Sequence, residues 1–231
     1  MLLAELVADA AHLLYCDVDF IWTANVAELW EYRSDAVVFQ ACPDGWLTTL
    51  EKEGGWFRER GLPYTPERYV CAGLLLVNLR LWRERQIGRR TMDFLAAHPN
   101  VPFVDQTALN AVVDDISLLP RKATSTRRFR SSRKARFFPP FADAFARRRP
   151  SASRSACAAK SGELPGAWAI HFAGGAPWCS NWWTSLITPS DLLWYRTYGE
   201  LTGLTMRQAR RKFIGWGEYC KRRLAYWLVA T

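Results

Sequence analysis

Apolar positions along the chain fall into short runs whose period changes several times. Each change predicts the edge of an element. Leu2, Leu3, Leu6 and Val7 recur at helical spacing, which predicts a short helix over residues 2–12. The run HLLYC at 12–16 is unbroken until Asp17, as expected of a buried strand. SDAVVFQA (34–41) predicts a second strand, and GGWFRERGLPYTPE (54–67) reads as a Gly/Pro-punctuated loop holding at most a helical turn. From residue 69 an apolar strand runs to 77, and near Asn78 the period turns helical. VDQTALNAVV (104–113) predicts an amphipathic helix capped by Asp105, and ISLLP (116–120) a short strand ended by Pro120. AWAIHFAGGAPW predicts a strand at 167–172 and then a tight Gly/Pro turn.

Strands alternating with helical patterns predict an α/β domain with a mixed, mainly parallel sheet. With 49% hydrophobic and 14% aromatic residues, the chain can build a substantial core and is not a disordered polymer. Charge refines this picture. Residues 121–160 hold thirteen Lys/Arg against Asp143, and residues 206–223 hold seven against Glu218. Those balances of +12 and +6, taken from the net +9, leave the remainder at −9: an acidic body with two basic segments. The first segment, rich in Arg, Ser, Ala and Pro, is expected to be a partly disordered loop at about 121–162 inside a domain spanning 1–204. Residues 205–231 are expected to form a basic aromatic helix or a membrane-surface tail.

The six cysteines (16, 42, 71, 157, 179 and 220) form no C-x-x-C pair, which argues against a structural zinc site and a disulfide-stapled module. The amino terminus lacks a basic leader pattern, and the longest apolar stretch, YVCAGLLLVNL, is eleven residues, too short to span a bilayer. A cytoplasmic protein with reduced thiols is expected.

Candidate chemistry begins where the first strand ends. Asp17 and Asp19 flank Val18, and carboxylates at a sheet's carboxyl edge suit Mg²⁺ or Mn²⁺ with bound phosphate oxygens. A plain turn cap would use the same residues. A phosphatase of the haloacid-dehalogenase type also places D-x-D here, with Asp114 and Asp115 imitating its later acidic pair. His171 ends a strand before Gly174 and Gly175, whose backbone N–H groups could cradle phosphate. Ala72 and Gly73 allow close approach to a buried strand, and Asp105 and Gln106 open a helix where they could bond sugar hydroxyls.

Taken in order, D-V-D-F-I, C-A-G-L-L-L-V-N-L-x-x-W-R, D-Q-x-A-L-N and H-F-x-G-x-x-P-W resemble glycosyltransferase family 8 over roughly residues 1–178. The resemblance implies a GT-A, Rossmann-like fold and a retaining hexosyltransferase using UDP-glucose or UDP-galactose with Mn²⁺ (or Mg²⁺). Asp17, Asp19 and His171 would bind the metal, and Val18 would contact the nucleoside through its backbone. Ala72, Gly73, Asp105 and Gln106 would line the donor-sugar pocket, the last two near the reacting carbon. Gly174 and Gly175 would hold the diphosphate. The acceptor would be a glycan or glycolipid of lipopolysaccharide or capsule type. The basic aromatic tail would attach the enzyme to the anionic inner face of the cell membrane, and nucleic acid is not the expected partner.

The sequence departs from the family pattern in three places. Cys71 stands where the family has an amide, Ala176 replaces a lysine before Pro177, and the strands expected to precede the D-x-D helix are absent. An N-terminally truncated fold is therefore expected, with weak or no turnover. The alternative is a degenerate relative that keeps the fold without catalysis.

Overall fold

The computed structural model describes residues 9–44, 47–126, 166–173 and 189–214, together with Ala4, Val7, Pro177 and Cys220. Elements begin and end where charge, proline or glycine interrupts the apolar runs. In chain order they are β1 (His12–Cys16), β2 (Phe20–Trp22), α1 (Val26–Trp30), β3 (Phe39–Pro43), α2 (Leu47–Glu59), β4 (Val70–Asn78), α3 (Leu79–Glu84), α4 (Ile87–Ala97), α5 (Val104–Val112), β5 (Ile116–Leu118), β6 (Ser125–Thr126), β7 (Ala169–His171), α6 (Pro189–Thr202) and α7 (Met206–Phe213).

The chain divides into two units. The first, residues 1–18 and 24–124, is built on a sheet of order β1-β4-β3-β5. Its inner strand β4 is apolar on both faces because both are covered. Leu75 and Val77 join Phe39, Trp82, Leu79 and Leu109 in one core, while Leu74 and Leu76 are buried on the other side. Asn78 ends the strand and starts α3, its side chain accepting from the Leu81 N–H at 3.1 Å. That is the period change legible at this residue. The second unit, residues 19–23 and 125–231, carries the sheet β2-β7-β6 and the α6–α7 hairpin.

Several expectations need correction. Among the described residues the sheets are mixed, but parallel pairing is not the majority: β1–β4, β3–β4 and β2–β7 are antiparallel, and β3–β5 and β6–β7 are parallel. Residues 54–59 are helix rather than loop, since α2 runs through Gly54 and Gly55. Trp56, Phe57 and Tyr69 form a buried cluster against which Tyr64 packs, and burial of this face outweighs the helix cost of two glycines. The second strand lies at 39–43 rather than 34–41. Asp105 is not the cap of α5. Phe103 occupies that position, and Asp105 sits in the first turn.

Residues 121–126, the start of the expected loop, form a 3₁₀ turn and β6. The rest of that basic segment, the glycines 174 and 175 and most of the tail beyond Ile214 lie outside the described residues, as do residues 2, 3, 5, 6 and 8 of the expected 2–12 helix. Ala4 is helical, but residues 9–11 are turn and bend leading into β1, so the helix does not reach 12. The described part of the tail, α7, packs on α6 through Tyr195, Trp194, Leu192, Phe213 and Ile214. Among the described residues, no helix is long and apolar enough to cross a membrane.

Candidate active site

The D-x-D segment is the turn that follows β1. The ladder between β1 and β4 pairs Cys16 with Leu74, and it is extended by the Asp17 N–H donating to the Gly73 carbonyl at 2.9 Å. Gly73 and its neighbour Ala72 are thereby tied to the site through the backbone. The Tyr15 hydroxyl donates to Asp17 Oδ1 at 2.6 Å, which pushes the phenol well above its ordinary value and fixes the carboxylate's direction. Val18 is fully exposed on the turn, free to present its backbone.

His171 is brought to Asp19 by strand pairing. Phe20 pairs with His171 across β2 and β7, and the Phe172 N–H donates to the Asp19 carbonyl at 2.9 Å. His171 Nε2 then lies 3.2 Å from Asp19 Oδ1, with the imidazole buried and stacked on the Phe20 ring at 4.3 Å. The hydrogen bond from His171 holds Asp19 below the usual carboxylate range, against the opposing effect of burial. Asp17 is joined to Asp19 by the single residue of the turn, so the two acids are neighbours along the chain.

Two carboxylates and an imidazole are a suitable donor set for Mn²⁺ or Mg²⁺, and Asp19 is held in its charged, ligating form. Asp17, Asp19 and His171 are the residues that would hold such an ion. Asp114 and Asp115 make no such group: Asp115 pairs with Arg85, and the Asp114 carbonyl accepts from Arg68. This removes the support for the phosphatase reading. The other two histidines are structural, His12 beside Ser34 and Asp35, and His98 against the rings of Trp56 and Phe94.

Gln106 anchors the second part of the site, within the first unit. Its Oε1 accepts from the Ala72 N–H at 3.2 Å, and its Nε2 donates to Asp44 Oδ2 at 3.0 Å and to the Tyr69 hydroxyl at 3.4 Å. One turn further on, Asn110 holds both the N–H and the carbonyl of Val70 at 2.9 Å, fastening α5 to the beginning of β4. Asp105 is exposed, its Oδ1 accepting from the Gln106 N–H at 2.9 Å. Its charge also adds a minor part to the raised pKa of Tyr15, the tyrosine that holds Asp17. The structure thus links Asp17, Gly73, Ala72, Gln106 and Asp105 within one unit, and Asp19 with His171 in the other.

Sequence reasoning missed Asp44, which is buried and bonded to Gln106. Its signal was available: PD after FQAC is an acid at the end of a buried strand, the same pattern as LLYCD. Cys71 lies beside the buried Cys42, whose thiol is pushed up to about 12 by burial, with Cys71 adding to the effect.

A sequence model described as "Glycosyl transferase family 8" matches residues 1–121. A Haemophilus influenzae protein named "Putative glycosyltransferase" is 28% identical over 112 residues, 48% of this chain and 32% of that protein. "General stress protein A" of Bacillus subtilis is 24% identical over 107 residues, 45% of this chain and 35% of that protein. The matches therefore span about a third of the length of these curated relatives. Among solved structures, an active-site mutant of LgtC shares 19% identity at a TM-score of 0.57, covering 87% of this chain and 64% of that one. The galactosyltransferase LgtC in complex with donor and acceptor sugar analogs shares 18% at 0.54, covering 95% and 68%. These likenesses show a GT-A-type α/β fold.

Proposed function

Because this chain belongs to glycosyl transferase family 8, we propose that it is a retaining hexosyltransferase moving glucose or galactose from a UDP-sugar to a glycan acceptor. The observation that carries this reading is the contact of the buried His171 with Asp19, the second acid of the D-x-D turn. Those three residues would hold Mn²⁺ or Mg²⁺. When bound, the ion supplies positive charge that neutralises the diphosphate as the glycosidic bond breaks.

The protein's own groups orient the donor. The Tyr15 hydroxyl fixes Asp17, the Phe20 ring fixes the imidazole, and Asp19 stays ionised through the His171 contact. Ala72 and Gly73 present little side-chain bulk beside them. Gly174 and Gly175 belong to this reading as the diphosphate cradle, and Val18 as a backbone contact to the nucleoside. Asp105 and Gln106 would stabilise the oxocarbenium-like charge on the reacting sugar. A glutamine amide is a weak nucleophile, and here one lone pair of its Oε1 is occupied by the Ala72 N–H. Front-face attack by the acceptor hydroxyl therefore fits these residues better than a covalent adduct on Gln106.

The acceptor class in this reading is a lipopolysaccharide or capsule glycan. Arg207, Arg211 and Lys212, all exposed on α7, are suited to an anionic membrane surface at the cytoplasmic face. Incubation with UDP-glucose or UDP-galactose tests the proposal. Metal-dependent release of UDP supports it. Metal-dependent UDP binding without release would identify a relative that keeps the fold without turnover, consistent with Cys71 and Ala176 at their positions. Absence of UDP binding would overturn both readings.

A further inference from the structure

A buried carboxyl lies behind the Gln106 cluster, and the transferase reading gives it no role. Glu53, on α2, has no solvent exposure. Its Oε1 accepts from the Thr107 hydroxyl at 2.9 Å, and Oε2 is buried. The Tyr69 hydroxyl neighbours the same carboxyl, and each perturbs the other's proton affinity. Burial raises Glu53 above the ordinary carboxylate range. Burying a carboxyl costs stability that an apolar side chain of similar size would not.

Its two neighbours lead to the reacting side of the site. Thr107 is adjacent to Gln106, and its hydroxyl also accepts from the Phe103 N–H at 3.0 Å, closing the first turn of α5. That turn has no side-chain cap, and it contains Val104 at φ 28, a left-handed value strained for a β-branched residue. Asp105 and Gln106 follow directly. On the other side, the Tyr69 hydroxyl accepts from Gln106 Nε2, so its own proton is free to point toward Glu53. One carboxyl therefore orders two hydroxyls. One holds the turn that presents Asp105 and Gln106, and the other holds the Gln106 amide.

We propose that Glu53 is a positioning residue of the transfer site, acting through Thr107 and Tyr69 on Asp105 and Gln106. The inference rests on the transferase reading for its purpose, but its geometry can be tested without turnover. The four glutamines are Gln40, Gln86, Gln106 and Gln208, and selective ¹⁵N labelling resolves the Gln106 side-chain amide, identified by its loss in Gln106→Glu. Glu53→Gln keeps an acceptor toward Thr107 but puts an amide where the second carboxyl oxygen was. It is expected to shift the Gln106 amide signals and to leave those of Gln40 and Gln208 in place. Tyr69→Phe is expected to shift the same signals, and to add little further in the Glu53→Gln background.

With a competent donor, Glu53→Gln should lower kcat by on the order of 10-fold to 100-fold while changing donor KM little. Should Glu53→Gln unfold the protein, Glu53→Asp, which keeps the carboxyl but shortens its reach toward Thr107 and Tyr69, carries the same test. Unmoved Gln106 signals in a folded variant would overturn the proposal, as would additive, independent effects of the two substitutions. Failure of the wild type to bind UDP would count against the transferase reading and leave the amide comparison standing.

Discussion

The Tyr15 hydroxyl donates to Asp17 Oδ1 at 2.6 Å, from the penultimate residue of β1 to the first acid of the D-x-D. This phenol is the outer partner of a proposed metal ligand. Tyr15→Phe keeps the ring and removes the donor, so the Asp17 carboxylate gains rotational freedom. Affinity for Mn²⁺, measured by calorimetry in the presence of UDP, should fall about 10-fold to 100-fold. An unchanged affinity would mean that Asp17 is oriented by something other than Tyr15.

Glu53 predicts a pH dependence of stability. Burial, opposed by hydrogen bonds from Thr107 and Tyr69, raises its folded-state pKa, so folding favours the protonated acid. The stability this confers is complete below the unfolded value of about 4.3 and is lost as pH rises through the higher folded value. Glu53→Gln, which cannot ionise, should remove that segment of the slope. Urea melts of both proteins from pH 4 upward check it, and parallel curves would show that Glu53 titrates as in the unfolded chain.

Neighbouring glycines in α2 should respond oppositely to alanine. A methyl at Gly55 would meet nothing within 4 Å, so Gly55→Ala should stabilise by about 0.5–1 kcal/mol through helix propensity. A methyl at Gly54 would lie 2.8 Å from Cε1 of Tyr64, whose hydroxyl is tied to the Leu50 carbonyl at 2.8 Å. Gly54→Ala should therefore lose that gain and destabilise. Thermal melts that rank the two variants the other way would contradict this packing.

The Cys42 thiol is 4% exposed and pushed up to about 12, so it is expected to resist alkylation at pH 8 in the folded protein and to react once unfolded. Mass mapping after iodoacetamide treatment reads this directly. Modification of native Cys42 at the unfolded rate would show that the strand opens there.

Much of this architecture was legible in the chain because burial leaves a pattern. HLLYC ended at Asp17, VCAGLLLVN gave way to helix at Asn78, and AIH carried His171 to a strand end, all as the structure has them. What periodicity cannot carry is strand direction. An alternation is identical read parallel or antiparallel, so β1, β3 and β4 gave no warning of their antiparallel pairing. Glycines concealed α2, because their low propensity speaks against a helix whose stability comes from Trp56 and Phe57. Asp105 resembled a cap, but Phe103 starts the helix and Thr107 closes its turn, a backward reach with no local signature. Of the site, the residues carrying strand-end or motif patterns could be named. Tyr69 and Glu53 could not, since their importance lies in contacts with Gln106 and Thr107 made across the fold.

The measurement that bears most directly on the central claim is calorimetric titration of UDP into the protein with Mn²⁺ and with EDTA, for the wild type, Asp19→Ala and His171→Ala. Binding is expected to require the metal in the wild type and to be lost in both variants, with thermal melts showing that each remains folded. UDP binding that persists in EDTA, or that survives in a folded Asp19→Ala protein, would contradict that claim.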